Sequence, residues 1–507
     1  MLKRKRFWKT SLSICLIVFM LNGCIHKDDY LVNDAYRQTE EVSIHKDCPS
    51  EDVPINKDQQ NSAPSLWEYD FIWPEGRDRE WEEDIIFFAQ MFLFEHPLLR
   101  NVQVPTSDVP SILSGARLSD RTENFHDAML RDQFLDQIHE LISLIPELED
   151  HEVIFSLSEI AAILGDAHTG LVINRFIFQP LGHHYYPFDF TYFSDGFFVQ
   201  SVSAPGDLLV YYEEVLYSRL LAINGFDVEE IIERLSVVIP HENNVHLLVR
   251  VALADLMQHG ELLTYLGITP GGETEFLFES LEGDVFSVTT SARAVCREVY
   301  VETTFIDINI EEFLIYSRSY WQWFEFLEED NVMYLRLHNL FGTPATPSLE
   351  EFYLGLAQRT GELLEIGQIN TLVIDLRDNR GGFLEYFEIL FDLVYSERSD
   401  FGSVVVLINH YTYSSAVVAA AIMRNYIEDV LLVGEPTSQP PNFFAGTATH
   451  WLPNSNLAFE VSRVYFGILP GYLDDRLRPD IFIPMTFEDF INHRDPVLEA
   501  VLEGGSE

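Results

Sequence analysis

The stretch that decides the architecture is TLVIDLRDNRGG at residues 371–382, read together with SVVVLINHYTYSSAVVAAA at residues 403–421. Each opens on a short apolar run, Thr371–Leu376 and Ser403–Asn409, the pattern of a strand covered on both faces. Val332–Leu337 and Val430–Val433 repeat it, and helices fit Ser348–Leu364 and Ser415–Asn425. Buried strands alternating with helices predict an α/β layer for residues 311–507.

Two loops in this layer hold residues suited to chemistry. After the first strand comes Arg377-Asp378-Asn379-Arg380-Gly381-Gly382. A Gly-Gly pair there can present bare backbone N–H groups to an anion, because no side chain obstructs approach. After the second strand, Thr412-Tyr413-Ser414-Ser415-Ala416 opens an Ala-rich helix. A hydroxyl at that point sees the positive end of the helix and its unpaired N–H donors. Together the loops supply a nucleophile and an oxyanion hole, the two needs of acyl transfer. Each alone has a common structural reading, since serine often caps helices and Gly-Gly often makes turns.

Upstream, residues 81–185 show helical periodicity. Phe134, Ile138, Leu141 and Ile142 recur every three or four positions, and Phe155–Leu164 does likewise before the turn Gly165-Asp166-Ala167-His168-Thr169. Residues 186–310 read as β-rich, with strands at Phe188–Phe193 and Gly196–Val202, and a strand-turn-helix over 220–235. Residues 24–80 are polar and irregular, the composition of a tether.

The chain has 507 residues, room for two to four domains, and 81 acidic against 32 basic residues give a formal net charge of −49. Such a field repels phosphate and argues against nucleic acid as a partner. Residues 1–23 read as a signal peptide, with Lys3, Arg4, Lys5, Arg6 and Lys9 preceding an apolar run too short to span a membrane. Losing those five basic residues and no acidic ones takes −49 to −54. Leu21-Asn22-Gly23-Cys24 resembles the lipobox of bacterial lipoproteins, in which Cys24 would be lipidated and anchor the chain outside the cell. Of the other cysteines, Cys15 leaves with the signal, and Cys48 and Cys296 form one disulfide or remain free thiols.

DLRDNRGG, then LINHYTYSSA, then LLVGEPT resembles the catalytic core of serine peptidase family 41, the C-terminal-processing or tail-specific peptidases. Leu452-Pro453-Asn454-Ser455, Pro479-Asp480-Ile481 and Asp495–Ala500 extend the likeness toward the branch containing the tricorn core and the interphotoreceptor retinoid-binding protein repeats. The segment LGDAHT resembles that family's helical-domain ending, and LLAINGFDVEEIIERL its PDZ-like middle. The resemblance implies a Clp protease/crotonase-like spiral ββα catalytic domain, an N-terminal helical domain and a PDZ-like β-rich segment.

Carried over residue by residue, it implies Ser414 as nucleophile, with oxyanion N–H groups from Ser415 and from Gly381 or Gly382. Counting back from GEPT selects Ser415 as nucleophile instead. The lysine that one branch places after GEPT is missing, since Ser438-Gln439-Pro440-Pro441 stands there. The histidine of the other branch matches His168, whose neutral imidazole can accept and return a proton near pH 7. The acid that orients it falls at Asp474, beside Asp475; Asp166 is an alternative, although its tight turn suits a turn-former. The implied protein is a membrane-anchored serine peptidase acting on peptides or unfolded segments, with no cofactor and no metal. Its PDZ-like segment would take an extended peptide by strand addition. The retinoid-binding relatives imply an alternative, a non-catalytic lipoprotein holding a peptide or apolar ligand in the same cleft. A G-x-S-x-G elbow is absent, and His241 and His246 are spaced i, i+5, off one helical face for a zinc motif.

Overall fold

The computed structural model describes residues 76–107, 122–173, 183–204, 209, 212–294, 302–305, 322–340 and 349–504. Cys24, Cys48, Cys296 and nearly all of the tether lie outside them.

The N-terminal part is built on helices α1 (Arg77–Glu95), α2 (Ala128–Leu144) and α3 (Asp150–Ala162). The Asp127 carboxylate accepts the N–H groups of Met129 and Leu130 and starts α2, and a Glu149/Glu152 capping box starts α3. Their apolar stripes meet in a core where Phe88, Phe92, Phe134 and Phe155 are fully buried.

The middle part is an antiparallel sheet of β1 (Phe188–Phe193), β2 (Gly196–Ala204), β3 (Arg219–Ile223), β4 (Glu273–Glu279), β5 (Val285–Ser291) and β6 (Glu302–Phe305). The order is β5-β4-β3-β2-β6, with β1 also on β2. Helices α4 (Val228–Ser236) and α5 (Asn244–Leu253) are inserted after β3. A β-rich reading misses α5, NVHLLVRVAL, in which three valines mask helix-forming Leu, Arg and Ala. What turns it helical is Asn243, which accepts the His246 N–H as N-cap.

The C-terminal layer alternates as expected: β7 (Gln322–Leu327), β8 (Val332–Leu337), α6 (Leu349–Glu365), β9 (Thr371–Asp375), α7 (Glu385–Glu397), β10 (Ser403–Ile408), α8 (Ser415–Tyr426) and β11 (Val430–Gly434). Four more strands follow, β12 (Asn442–Ala445), β13 (Ala448–Trp451), β14 (Ala458–Val461) and β15 (Val464–Gly467), and then β16 (Ile481–Phe482). The main sheet runs β7-β8-β9-β10-β11-β16, parallel except for β7. Residues Ser415 to Met423 of α8 are all buried, and its alanines let it sit that deep.

Two features place the site. The loops after β9 and β10 leave the same carboxyl-terminal edge of neighbouring parallel strands, where open α/β sheets hold their ligands. The hairpin β13–β14 crosses onto the N-terminal helices. Phe459 packs 5.1 Å from Phe88 between ring centres, and β14 pairs with Gly170–Leu171. Asp84 on α1 accepts the N–H groups of Asn454 and Ser455 at 2.8 and 2.9 Å. The turn carrying His168 is thereby held against the C-terminal layer.

Candidate active site

The loop after β9 is fixed from below by buried charge. Arg377 pairs with Asp375 and Asp495 at 2.7 Å each, and Arg336 reaches Asp375 and Asp378 at 3.2 and 3.1 Å. Tyr334 donates to Asp375 as well. Burial alone would raise the Asp375 carboxyl; Arg377 and Arg336 overcome that and hold it at about 2. Above this base the two loops are stitched together. Asn409 Nδ2 donates to Asp378 Oδ1 at 2.8 Å, the Tyr413 N–H to Asn379 O at 2.9 Å, and Thr412 Oγ1 to Leu376 O at 2.9 Å.

The stitching forces Ser414 into φ 55°, ψ −125°, a left-side backbone conformation that non-glycine residues rarely adopt. The first helical residue is Ser415, so Ser414 stands just off the end of α8 with its side chain capping nothing. Gly381 lies against it so closely that a Cβ there would sit 2.8 Å from the Ser414 Cβ and 2.9 Å from Ser415 N. Glycine is required at that approach.

His168 reaches Ser414 from the turn after α3, Nε2 to Oγ at 3.0 Å. Its ring is stacked between Tyr413 and Phe443, with centroids 4.8 and 5.3 Å away. Burial lowers the imidazole to about 4; Asp166 opposes the shift and Arg250 reinforces it. The ring is therefore neutral at pH 7, the form a general base needs.

The groups on Nδ1 are not the expected acid. Tyr413 Oη lies 3.1 Å away and Gln439 Nε2 3.3 Å. Gln439 Oε1 accepts the Ser414 N–H at 3.0 Å and its Nε2 donates to Glu242 Oε1 at 2.8 Å, so its amide orientation is set. An amide nitrogen cannot accept, so of these two groups only Tyr413 Oη can receive a proton from Nδ1, and the Phe444 backbone is a further hydrogen-bond partner of the ring.

Asp474 does not take the place assigned to it. Its carboxylate receives two hydrogen bonds from Arg478, and Asp475 pairs with Arg476. A partner four residues away on the same exposed segment holds Asp474, and this local pairing competes with any reach toward His168. Asp166 behaves as the turn-former: it accepts the His168 N–H at 3.0 Å and Thr169 Oγ1 at 2.6 Å, with His96 Nε2 3.1 Å away. Ser415 Oγ donates to Gly382 O at 2.6 Å and faces away from His168's partner atom. The Gly381 N–H goes to Asn379 Oδ1 at 2.8 Å, whereas the N–H groups of Gly382 and Ser415 have no acceptor among the described residues.

Three site residues escaped the sequence reading. Gln439 stands where a lysine was sought, Tyr413 adjoins the serine, and Glu242 lies in the segment dismissed as a near-zinc motif. Burial and the Asp166 charge push Glu242 up to about 8. Asp166, His168 and Glu242 form one group able to surround a metal, and His183, His259 and Glu261 another. In both, ring nitrogens are already committed: His168 as above, and His259 Nδ1 to the Leu262 N–H at 3.0 Å with Nε2 2.9 Å from His183 Nδ1. A metal at His259 Nε2 would require Nδ1 to be a donor facing another donor.

No protein-family model matches the sequence, and no curated protein matches it. The mixed α/β fold is shared with solved structures of CPAF. Its solved counterparts include mature CPAF, 13% identical at a TM-score of 0.52, covering 84% of this chain and 96% of that chain. CPAF complexed with lactacystin aligns equally, at 13% identity and a TM-score of 0.52, covering 84% and 97%. At this identity the likeness is one of fold.

Proposed function

We propose that the protein is a serine peptidase anchored at Cys24 to the outer face of the cell membrane, cleaving peptides or unfolded protein segments. The observation that carries this reading is the 3.0 Å contact of His168 Nε2 with the Oγ of a backbone-strained Ser414. Ser414 attacks the scissile carbonyl, His168 takes its proton and returns it to the leaving amine, and Tyr413 and the Phe444 backbone position the imidazole. The tetrahedral oxyanion rests on the N–H groups of Gly382 and Ser415. Among the described residues no helix is long and apolar enough to cross a membrane; the anchoring reading rests on the lipobox-like Leu21-Asn22-Gly23-Cys24.

The test is covalent labelling of the purified full chain by a fluorophosphonate and by lactacystin, the compound found on CPAF, followed by mapping of the modified residue. Label on Ser414 with peptide cleavage supports the reading. No label and no cleavage would overturn it in favour of a non-catalytic binding lipoprotein. Anchoring is tested separately, by loss of membrane association in Cys24→Ser.

Two further results follow from the His168 environment. Tyr413→Phe lowers kcat by about tenfold to a hundredfold with KM little changed, since the imidazole loses the hydroxyl that positions it at Nδ1 but the nucleophile stays in place. The acid limb of kcat/KM falls near pH 4, well below the ordinary histidine range, because His168 stays neutral down to about 4. Ionisation of Glu242 adds an inflection in kcat near pH 8, which Glu242→Gln removes. Both limbs are read from initial rates on one fluorogenic peptide.

A further inference from the structure

Of the arginines in the loop after β9, Arg377 is saturated by Asp375 and Asp495. Arg380, three residues on, is not. Its Nε and Nη1 are shielded from solvent and have no hydrogen-bond partner among the described residues. Its guanidinium carbon lies over the Tyr413 ring, 5.7 Å from the centroid. A shielded cation without a counter-ion is costly, and in a chain of net charge −49 it is conspicuous.

Among the described residues no carboxylate pairs with Arg380. His246 packs on the same Tyr413 ring at 5.1 Å, 1% exposed, with neither ring nitrogen partnered. Glu242 and Asp166 both act on Tyr413, but Gln439 holds the Glu242 Oε1, burial keeps Glu242 protonated up to about 8, and Asp166 is taken by His96, the His168 N–H and Thr169. Arg380 directly precedes the glycine that touches Ser414. Whatever anion meets it therefore lies close to the reacting carbonyl.

We propose that Arg380 receives a carboxylate carried by the substrate next to the scissile bond, so that acidic peptides are the favoured substrates. This rests on the serine-peptidase reading. A planar guanidinium with unpaired donors, half-buried as a residue, suits a carboxylate in a bidentate grip, and Tyr413 fixes its plane by stacking. The carboxylate belongs either to an acidic side chain or to a free chain end.

The experiment uses the full chain, with Ser414→Ala as a non-cleaving form for binding. Peptides acetylated and amidated at their ends differ only in Glu, Gln or Lys at each position within three residues of the cleaved bond. A further pair differs in a free or amidated C-terminus. The expected result is a preference for Glu over Gln of about tenfold or more at one position, in kcat/KM and in fluorescence anisotropy with Ser414→Ala. Arg380→Gln brings the ratio to about one. Arg380→Glu reverses it toward Lys, a gain that misfolding cannot produce.

A preference confined to the free C-terminus, and lost in Arg380→Gln, supports the site and assigns the carboxylate to the chain end. Equal handling of Glu, Gln and both C-termini would overturn the proposal, as would a Glu preference that survives Arg380→Gln. If no peptide is cleaved and no serine labelled, the peptidase reading falls alone. Anisotropy with the unmodified chain then still decides whether Arg380 binds a carboxylate.

Discussion

Ser414→Ala lowers kcat by about 10⁴-fold or more and leaves KM nearly unchanged, measured on a fluorogenic peptide with the full chain. The size follows from what the residue does alone: no other hydroxyl lies within hydrogen-bond reach of His168 Nε2 among the described residues. His168→Ala has a comparable effect, and the double variant is hardly worse, because the two groups act as one unit. The neighbouring serine separates the mechanism from its alternative. Ser415→Ala loses the 2.6 Å bond to Gly382 O but keeps its backbone N–H. It costs about tenfold, through a loosened oxyanion loop. A Ser415 variant as dead as the Ser414 variant would transfer the nucleophile to Ser415.

Arg377→Met destabilises the fold by about 3–5 kcal/mol, read from denaturant unfolding. Removing the arginine leaves Asp375 and Asp495 without their shared partner, and Asp375 is wholly buried. The pH dependence has a definite sign. The folded carboxyl of Asp375, at about 2, lies below its unfolded value near 3.8. Its contribution is present above about pH 4 and is lost as pH falls toward 2. In Arg377→Met that part of the acid transition moves to higher pH. Peptidase activity falls with it, since this ion cluster is the floor under Asn379, Gly381 and Gly382.

Much of the layer was legible because its strands are short, apolar and buried on both faces, a pattern with few alternatives. Ser414 and the glycines were legible for the same reason: they follow those strands at a distance set by the chain. His168 was reachable only through the family likeness, since 246 residues separate it from Ser414. The orienting group was misplaced because it is chosen by packing. Tyr413 reaches Nδ1 by stacking under the ring it serves, and Gln439 arrives from the strand-to-strand loop after β11. Neither carries the charge that a search for an acid looks for. Asp474 does, and Arg478 holds it. The α5 helix was missed because three valines among Leu, Arg and Ala lie inside a β-rich stretch, and its start rests on a single capping asparagine.

The crossing of β13–β14 onto the N-terminal helices also sets an order of events during synthesis. Asp84 waits for Asn454 and Ser455, 370 residues later, and Phe88 waits for Phe459. Until that hairpin emerges, the helical part has an open core and His168 sits on an unanchored turn. The catalytic pair therefore assembles only when nearly all of the chain has been delivered. A chain built this way keeps Ser414 and His168 apart while it is still being made, and bringing them together closes a loop of 246 residues.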